Sequence, residues 1–119
     1  MEKKYDLEEL LIDFASDSID VSESLPKTLA GNHIASQLVR SSTSPALHYG
    51  EAQGAESRND FIHKMKVCLK ELRETFNCLR LIRKKNWYNE EKLTRLITEN
   101  NELISIFVSS LKTAQKNRK

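Results

Sequence analysis

The side chains of this chain that could do chemistry are three histidines, two cysteines and a group of basic residues beside two aromatic ones. His33, His48 and His63 are far apart in the sequence, and no Glu-x-x-His pair or HExxH motif accompanies them. A GxSxG nucleophile motif and a phosphate-binding glycine loop are also missing. The sequence therefore predicts a protein that is not an enzyme, with no catalytic residues, metal site or cofactor, and with His63 partly buried and hydrogen-bonded.

Basic charge is concentrated around residues 80–92, where it surrounds two aromatic side chains. Lysine and arginine neutralise phosphates, and aromatic rings stack on unpaired bases, so this composition favours nucleic-acid binding. The predicted binding residues are Arg80, Arg83, Lys84, Lys85, Trp87, Tyr88 and Lys92. The simpler interpretation is a solvated helix end whose lysines complement the helix dipole. An alternative basic site is Lys112, Lys116, Arg118 and Lys119.

The two cysteines and the N-terminus indicate a reducing compartment. Cys68 and Cys78 would lie about 15 Å apart along one helix, too far for a disulfide bond with each other. Cys68 falls on an apolar stripe and is expected to be a small core residue. The N-terminal sequence MEKKYDLEEL is charged and does not resemble a signal peptide, and no apolar run approaches the length of a membrane span. We therefore expect a cytoplasmic protein with no membrane contact.

The elements that must position these residues are helices. The chain has 119 residues, 39% hydrophobic and 30% charged, with only three glycines and two prolines. This composition is typical of one helical domain and leaves little room for a turn-rich β fold. Apolar residues recur at helical spacing near 6–24, 29–56, 58–85 and 90–114, and residues 115–119 form a polar tail that should fray. Short connections predict an all-α, antiparallel up-down-up-down four-helix bundle over residues 1–119.

The third segment organises this bundle, and the second differs from the others. Three heptad tracks along residues 57–85 form one broad apolar stripe, which must be buried by the other segments. The second segment has small residues at its inner positions and contains Pro45, which removes a backbone donor and predicts a kink. Two helices broken near 41–45 are the alternative. A ligand or partner site at the kink is a further alternative for this region.

Antiparallel pairing of the second and third segments predicts polar contacts across their interface. The expected register places Arg40 level with Arg73 and Glu74, and Glu51 level with His63. Charged groups near a helix interface need partners, because unpaired burial costs several kcal/mol. We interpret these residues as polar pairs that fix the helix register.

Additional apolar residues indicate self-association. Val67 and Leu81 lie off the stripe of the third segment, two heptads apart on one face, and Ile106 and Val108 do the same on the fourth. A small bundle with extra apolar faces is expected to bury them against another copy of itself.

The stretch from Gln37 to Thr75 resembles a bacterial family of small four-helix-bundle proteins, encoded by intervening sequences within large-subunit ribosomal RNA genes. The matching elements are Gln37-Leu38, Arg40-Ser41, Thr43-Ser44-Pro45, Tyr49-Gly50-Glu51-Ala52, Ser57-Arg58, Asp60-Phe61-Ile62-His63-Lys64 and Leu69-Lys70-Glu71-Leu72-Arg73-Glu74-Thr75. Leu25-Pro26 and the region of Glu102-Leu103 also resemble family positions. His48 departs from the family, which usually has asparagine there.

This resemblance implies an antiparallel four-helix bundle that assembles into a ring, commonly a homopentamer. A relative of the family, the accessory protein of diversity-generating retroelements, has a similar ring and binds nucleic acid and a reverse transcriptase. The ribosomal label comes mainly from gene location. Two functions are therefore expected: a non-enzymatic ring that binds RNA or DNA through basic patches, or a homo-oligomeric scaffold for a protein partner with no nucleic-acid role.

Overall fold

The computed structural model describes residues 6–117, which form four helices and no strand. Their bounds are α1 Leu7–Ser24, α2 Leu29–Gln53, α3 Arg58–Lys84 and α4 Glu90–Lys116. The predicted all-α bundle is confirmed. Helix α2 is continuous through Pro45, so the alternative of two broken helices is wrong.

Each helix begins at a side chain that accepts a hydrogen bond from the backbone N–H three residues later. The N-cap residues are Asp6, Thr28, Ser57 and Asn89, with donor–acceptor distances from 2.8 to 3.1 Å. These bonds satisfy N–H groups that have no partner within the helix. Each cap is a short polar residue that directly precedes a periodic apolar run.

Two helix ends differ from the expected bounds. Helix α2 stops at Gln53 because Gly54 caps it, with the Gly54 N–H donating to the Gly50 carbonyl at 3.1 Å. Helix α4 continues to Lys116, two residues beyond the expected end at residue 114. Favourable helix formers in this last turn explain the extension.

The helices pack in sequence order around one core. Helix α1 packs on α2, α2 on α3 and α3 on α4, while α4 contacts α1 over a shorter stretch and thus completes a ring of four helices. Helices α1 and α3 lie at opposite corners, and their backbones do not approach each other closely. The bundle is long and flattened, measuring 49 × 35 × 19 Å between its outer Cα atoms.

The core is built mainly from the large apolar residues of α1, α3 and α4. Phe14, Leu72, Leu79 and Phe107 are at most 1% exposed. Apart from Leu38, the buried residues of helix α2 are small, and these are Gly31, Ser41, Ser42, Pro45 and Ala52. Small residues allow the neighbouring helices to approach α2 closely, as the sequence pattern predicted. No helix within residues 6–117 is both long enough and apolar enough to cross a membrane.

Candidate nucleic-acid interface

The predicted binding residues lie at one end of the bundle, which we call the basic pole (residues 80–95 and Lys27). Helices α1 and α3 end there, and α2 and α4 begin there, because neighbouring helices run in opposite directions. An ion pair between Arg83 Nη1 and Glu90 Oε2, 3.9 Å apart, joins the end of α3 to the start of α4. Both side chains are largely exposed, so this pair adds little stability.

The turn between α3 and α4 fixes the two aromatic residues of the pole. Asn86 has a φ of 58°, in the left-handed region. The Asn86 N–H donates to the Arg83 carbonyl at 3.0 Å, and the Trp87 N–H donates to the Ile82 carbonyl at 3.1 Å. This pair of bonds is the Schellman motif, in which asparagine often replaces glycine. The turn directs Trp87 and Tyr88 onto the core, where both are half-buried.

The outer face of α3 forms a shallow groove, the basic groove. Its lining residues are Asn77, Arg80, Leu81, Arg83 and Lys84. The Arg80 guanidinium lies 5.5 Å from the centre of the Phe76 ring and donates to Asn77 Oδ1 at 3.4 Å. These two contacts position the Arg80 side chain at one end of the groove, and Arg83 and Lys84 are exposed. Such a surface can hold phosphate groups through several separate cations.

A second depression, the seam cleft, lies where α1 and α4 meet and has a volume of about 280 Å³. It is lined by Asp17, Asp20, Val21, Tyr88, Lys92, Arg95, Leu96 and Glu99. Burial raises the pKa of the Glu99 carboxyl above its ordinary value, and the negative charges of Asp17, Glu102 and Asp13 raise it further, while Arg95 opposes the shift. The cleft therefore holds an excess of negative charge beside an otherwise basic pole.

The structure divides the predicted binding residues between these two surfaces. Arg80, Arg83 and Lys84 line the basic groove, whereas Tyr88 and Lys92 line the seam cleft. Lys85 is exposed at the end of α3, and half-buried Trp87 packs on the core; neither lines either surface. In the alternative basic site, Lys112 and Lys116 are exposed near the end of α4, at the other end of the bundle. Arg118 and Lys119 lie outside the described residues.

Of the two polar contacts predicted across the α2–α3 interface, the structure contains the one at Arg40; in the described part of the chain, exposed Glu51 and His63 form no hydrogen bond or ion pair with each other. Arg40 forms ion pairs with Glu71, at 3.0 Å, and with Glu74. One residue further along, the buried hydroxyl of Thr75 donates to Ser41 Oγ at 2.8 Å. These contacts fix the register between α2 and α3. Nothing in this arrangement requires a ligand near Pro45.

The histidines and cysteines form no site within residues 6–117. His63 is exposed on α3, so the expectation of a partly buried side chain is wrong. No group of three or more potential ligands in the described part of the chain could hold a metal ion. Both thiols are buried, and burial, with the nearby Glu51 and Glu71 carboxylates, raises the pKa of Cys68 to about 11. A thiol with such a pKa is a poor nucleophile at neutral pH.

Sequence comparison identifies the family of this helical chain. Residues 3–109 match the family described as 23S rRNA-intervening sequence protein. The chain belongs to that family. No curated protein is significantly similar to it in sequence. A crystal structure of a protein of unknown function from the S23 ribosomal protein family of Bacteroides thetaiotaomicron is similar, with a TM-score of 0.82 and 26% identity, over 89% of this chain and 98% of that one.

The register-fixing contacts of α2 and α3 lie within the stretch that resembles the 23S rRNA-intervening sequence protein family. Arg40, Ser41, Glu71, Glu74 and Thr75 all fall within the stretch that resembles the family, and all five take part in these contacts. What that stretch demonstrably does in this chain is hold two helices together. The seam cleft, in contrast, lies wholly outside that stretch.

Proposed function

We propose that the protein is a non-enzymatic helical bundle that assembles into a homo-oligomer and binds RNA or DNA through its basic pole. The observation that carries this proposal is the basic groove, where Arg80, Arg83 and Lys84 meet on one exposed surface. Lys85 and Lys92 extend the positive surface on either side of the α3–α4 turn. Among these five cations, only Arg83 has an acidic partner within residues 6–117, and that pair is 3.9 Å long and exposed.

Self-association makes this binding effective. Five cations on one chain give weak binding at physiological salt, since affinity falls steeply as salt rises. Several copies held together present their poles at high effective concentration to one nucleic-acid strand. Val67 supports the assembly, because it is 39% exposed on the outer face of α3; Leu81, the other predicted contact on this helix, is 51% exposed but lines the basic groove. Ile106 and Val108 on α4 are half-buried and are secondary contact candidates.

A gel-shift assay at about 50 and about 200 mM salt tests nucleic-acid binding. We expect binding to weaken steeply at the higher salt. The triple variant Arg83→Ala, Lys84→Ala and Lys85→Ala should bind more weakly to every sequence and show a flatter salt dependence. These side chains are exposed, so folding and assembly should be unchanged.

The matched control removes three cations from the middle of the same helix, through Lys66→Ala, Lys70→Ala and Arg73→Ala. All three side chains are exposed, and the total charge changes by the same amount. If the two triple variants lose the same affinity, binding reflects total charge and not the pole. If only the control loses binding, the site lies along α3, away from the pole.

A protein-interaction scaffold is the second candidate function. The observation that favours it is the number of large apolar side chains in contact with solvent, such as Leu29 at 92% and Leu47 at 72%. Such residues are compatible with a protein partner. Wild-type protein that retains neither RNA nor DNA at low salt would favour this function over the first.

A further inference from the structure

The two walls of the seam cleft carry opposite charges. Helix α1 has six acidic residues and no basic one, and its Asp17 and Asp20 form one wall. Lys92 and Arg95 of α4 form the other wall, and Glu99 lines its far end. The floor consists of the apolar side chains of Val21 and Leu96, which are only 1% and 4% exposed, so the half-buried Tyr88 ring offers a base more surface than they do.

Ion pairs do not close this cleft. Within residues 6–117, the side chains of Asp17, Asp20, Lys92 and Arg95 form no hydrogen bond and no ion pair shorter than 4 Å. The walls are held apart by the packing of α1 and α4, whose contact is the shortest of the four helix interfaces. Both walls are therefore available to one ligand that bears an anion at one end and N–H donors at the other.

A nucleotide unit has this distribution of groups. Its phosphate suits Lys92 and Arg95, its planar base suits the apolar floor and the Tyr88 ring, and the exocyclic groups of its base can reach Asp17 or Asp20. A cleft of about 280 Å³ is at the lower end of small-molecule sites, which suits one unit and not more.

The acidic wall selects among the bases. A carboxylate only accepts hydrogen bonds, so it favours a base edge with adjacent donors. Guanine has two adjacent donors, N1–H and the N2 amine, and can bind one carboxylate through both. Uracil has a single N–H between two carbonyl oxygens, which would face the carboxylate unfavourably.

We propose that the seam cleft binds one unpaired guanine nucleotide of a single-stranded nucleic acid, with the guanine edge donating to Asp17 or Asp20 and its phosphate at Lys92 and Arg95. This inference rests on the proposed function, because the rest of the strand follows the basic pole. It adds base preference to an otherwise sequence-independent interface, and it assigns roles to Asp17, Asp20 and Arg95.

Fluorescence anisotropy with three labelled RNA hexamers at low salt tests the proposal. The first contains only uridine, the second has one central guanosine, and the third has inosine in place of that guanosine. Inosine keeps N1–H and lacks the N2 amine. We expect the guanosine hexamer to bind about tenfold more tightly than the uridine hexamer, and the inosine hexamer to lose much of that gain.

Two aspartate variants separate recognition from general electrostatics. Asp13→Asn is the matched control, because Asp13 is exposed on α1 one turn before Asp17 and does not line the cleft. Removing a negative charge near bound RNA should strengthen binding of all three hexamers equally, and Asp13→Asn should do so. Asp17→Asn, or Asp17→Asn with Asp20→Asn, should instead weaken binding of the guanosine hexamer. It should also abolish the preference of the protein for guanosine over uridine.

The possible failures are distinguishable. Equal binding of the three hexamers by wild-type protein overturns the guanine site and leaves the proposed function intact. If Asp13→Asn and Asp17→Asn change RNA binding in the same way, the guanine site is also refuted. If none of the hexamers binds at low salt, the proposed function fails and the guanine site fails with it.

Discussion

Asn100 lies in the middle of the core and is 0% exposed. Its Nδ2 donates to the Leu72 carbonyl at 3.2 Å, and its Oδ1 has no hydrogen-bond partner within the described residues. Its position could have been found in the sequence, because it occupies the interval between Ile97 and Leu103 in the apolar stripe of α4. A buried asparagine favours one helix register over others, at some cost in stability.

Leu72, whose backbone accepts this bond, is 0% exposed and lies at the centre of the stripe on α3. Leu72→Ala should reduce the free energy of unfolding by roughly 2–5 kcal/mol, because it leaves a cavity among packed neighbours. Urea denaturation measures the loss. Leu47→Ala is the matched control, since Leu47 is 72% exposed, and its effect should stay within about 0.5 kcal/mol. A loss below about 1 kcal/mol for Leu72→Ala would mean that the core is misassigned.

Glu99, which lines the seam cleft, should make the stability of the protein depend on pH. Burial and three nearby carboxylates raise its pKa in the folded protein above the ordinary value of 4.5. The folded state therefore holds this proton more tightly than the unfolded state, and the resulting stabilisation is lost as pH rises through the folded pKa. Between pH 5 and pH 7, the wild type should lose stability relative to Glu99→Gln, as measured by urea denaturation at each pH. A constant difference, or one of opposite sign, would contradict the raised pKa.

Among the helices, α2 shows most clearly how far the sequence determines the structure. Its small inner residues and its Thr28 cap were predictable, because spacing and capping are local properties of the chain. The end at Gln53 was less predictable, since either Gly50 or Gly54 could have stopped the helix. The predicted kink at Pro45 stays a prediction.

The basic groove and the seam cleft also differ in how far the sequence predicts them. The basic groove was predictable because Arg80, Arg83 and Lys84 lie on one helix, where spacing determines which residues share a face. The seam cleft was not, because it needs the distance between α1 and α4, helices that are farthest apart in the sequence. Local patterns do not report that distance. Lys85 and Trp87 were predicted to bind but line neither surface. Their positions depend on the turn at Asn86, which the local pattern did not report.

Replacing either of two glycines of α2 by alanine should change the stability of the protein, in opposite directions. A Cβ on Gly31 would overlap the Pro26 carbonyl oxygen and lie 2.9 Å from its carbon, both of which are backbone atoms. Gly31→Ala should therefore destabilise the protein by about 2 kcal/mol or more, because the turn before α2 must move. Gly50→Ala should stabilise it by about 0.5–1 kcal/mol through helix propensity, since among the described residues its Cβ would meet only Glu8 Oε2, at 3.9 Å. Thermal unfolding compares the two, and equal effects would refute the close approach at Gly31.

For the molecule as a whole, charge is unevenly distributed between opposite corners. Helix α1 has only acidic charge, whereas α3 has eight basic and three acidic residues. The backbones of these two helices do not approach each other closely, and their outer faces lie on different sides of the bundle. The basic groove occupies the C-terminal end of the α3 face. An assembly contact at Val67, about 20 Å before Arg80 along the helix, leaves the pole accessible to nucleic acid.

One variant tests whether nucleic-acid binding depends on the assembly. Val67→Gln removes an exposed apolar side chain from the outer face of α3 without changing the charge, and it leaves Leu81 in place in the basic groove. Light scattering at micromolar concentration should give a mass well above 13.7 kDa for the wild type and about 13.7 kDa for this variant. Because several poles no longer act together, the variant should also bind nucleic acid at least about tenfold more weakly, although every cation of the pole is retained. Leu47→Gln is the control and should change neither property. A wild-type mass of 13.7 kDa would refute the assembly, and full binding by a monomeric variant would show that one pole is sufficient.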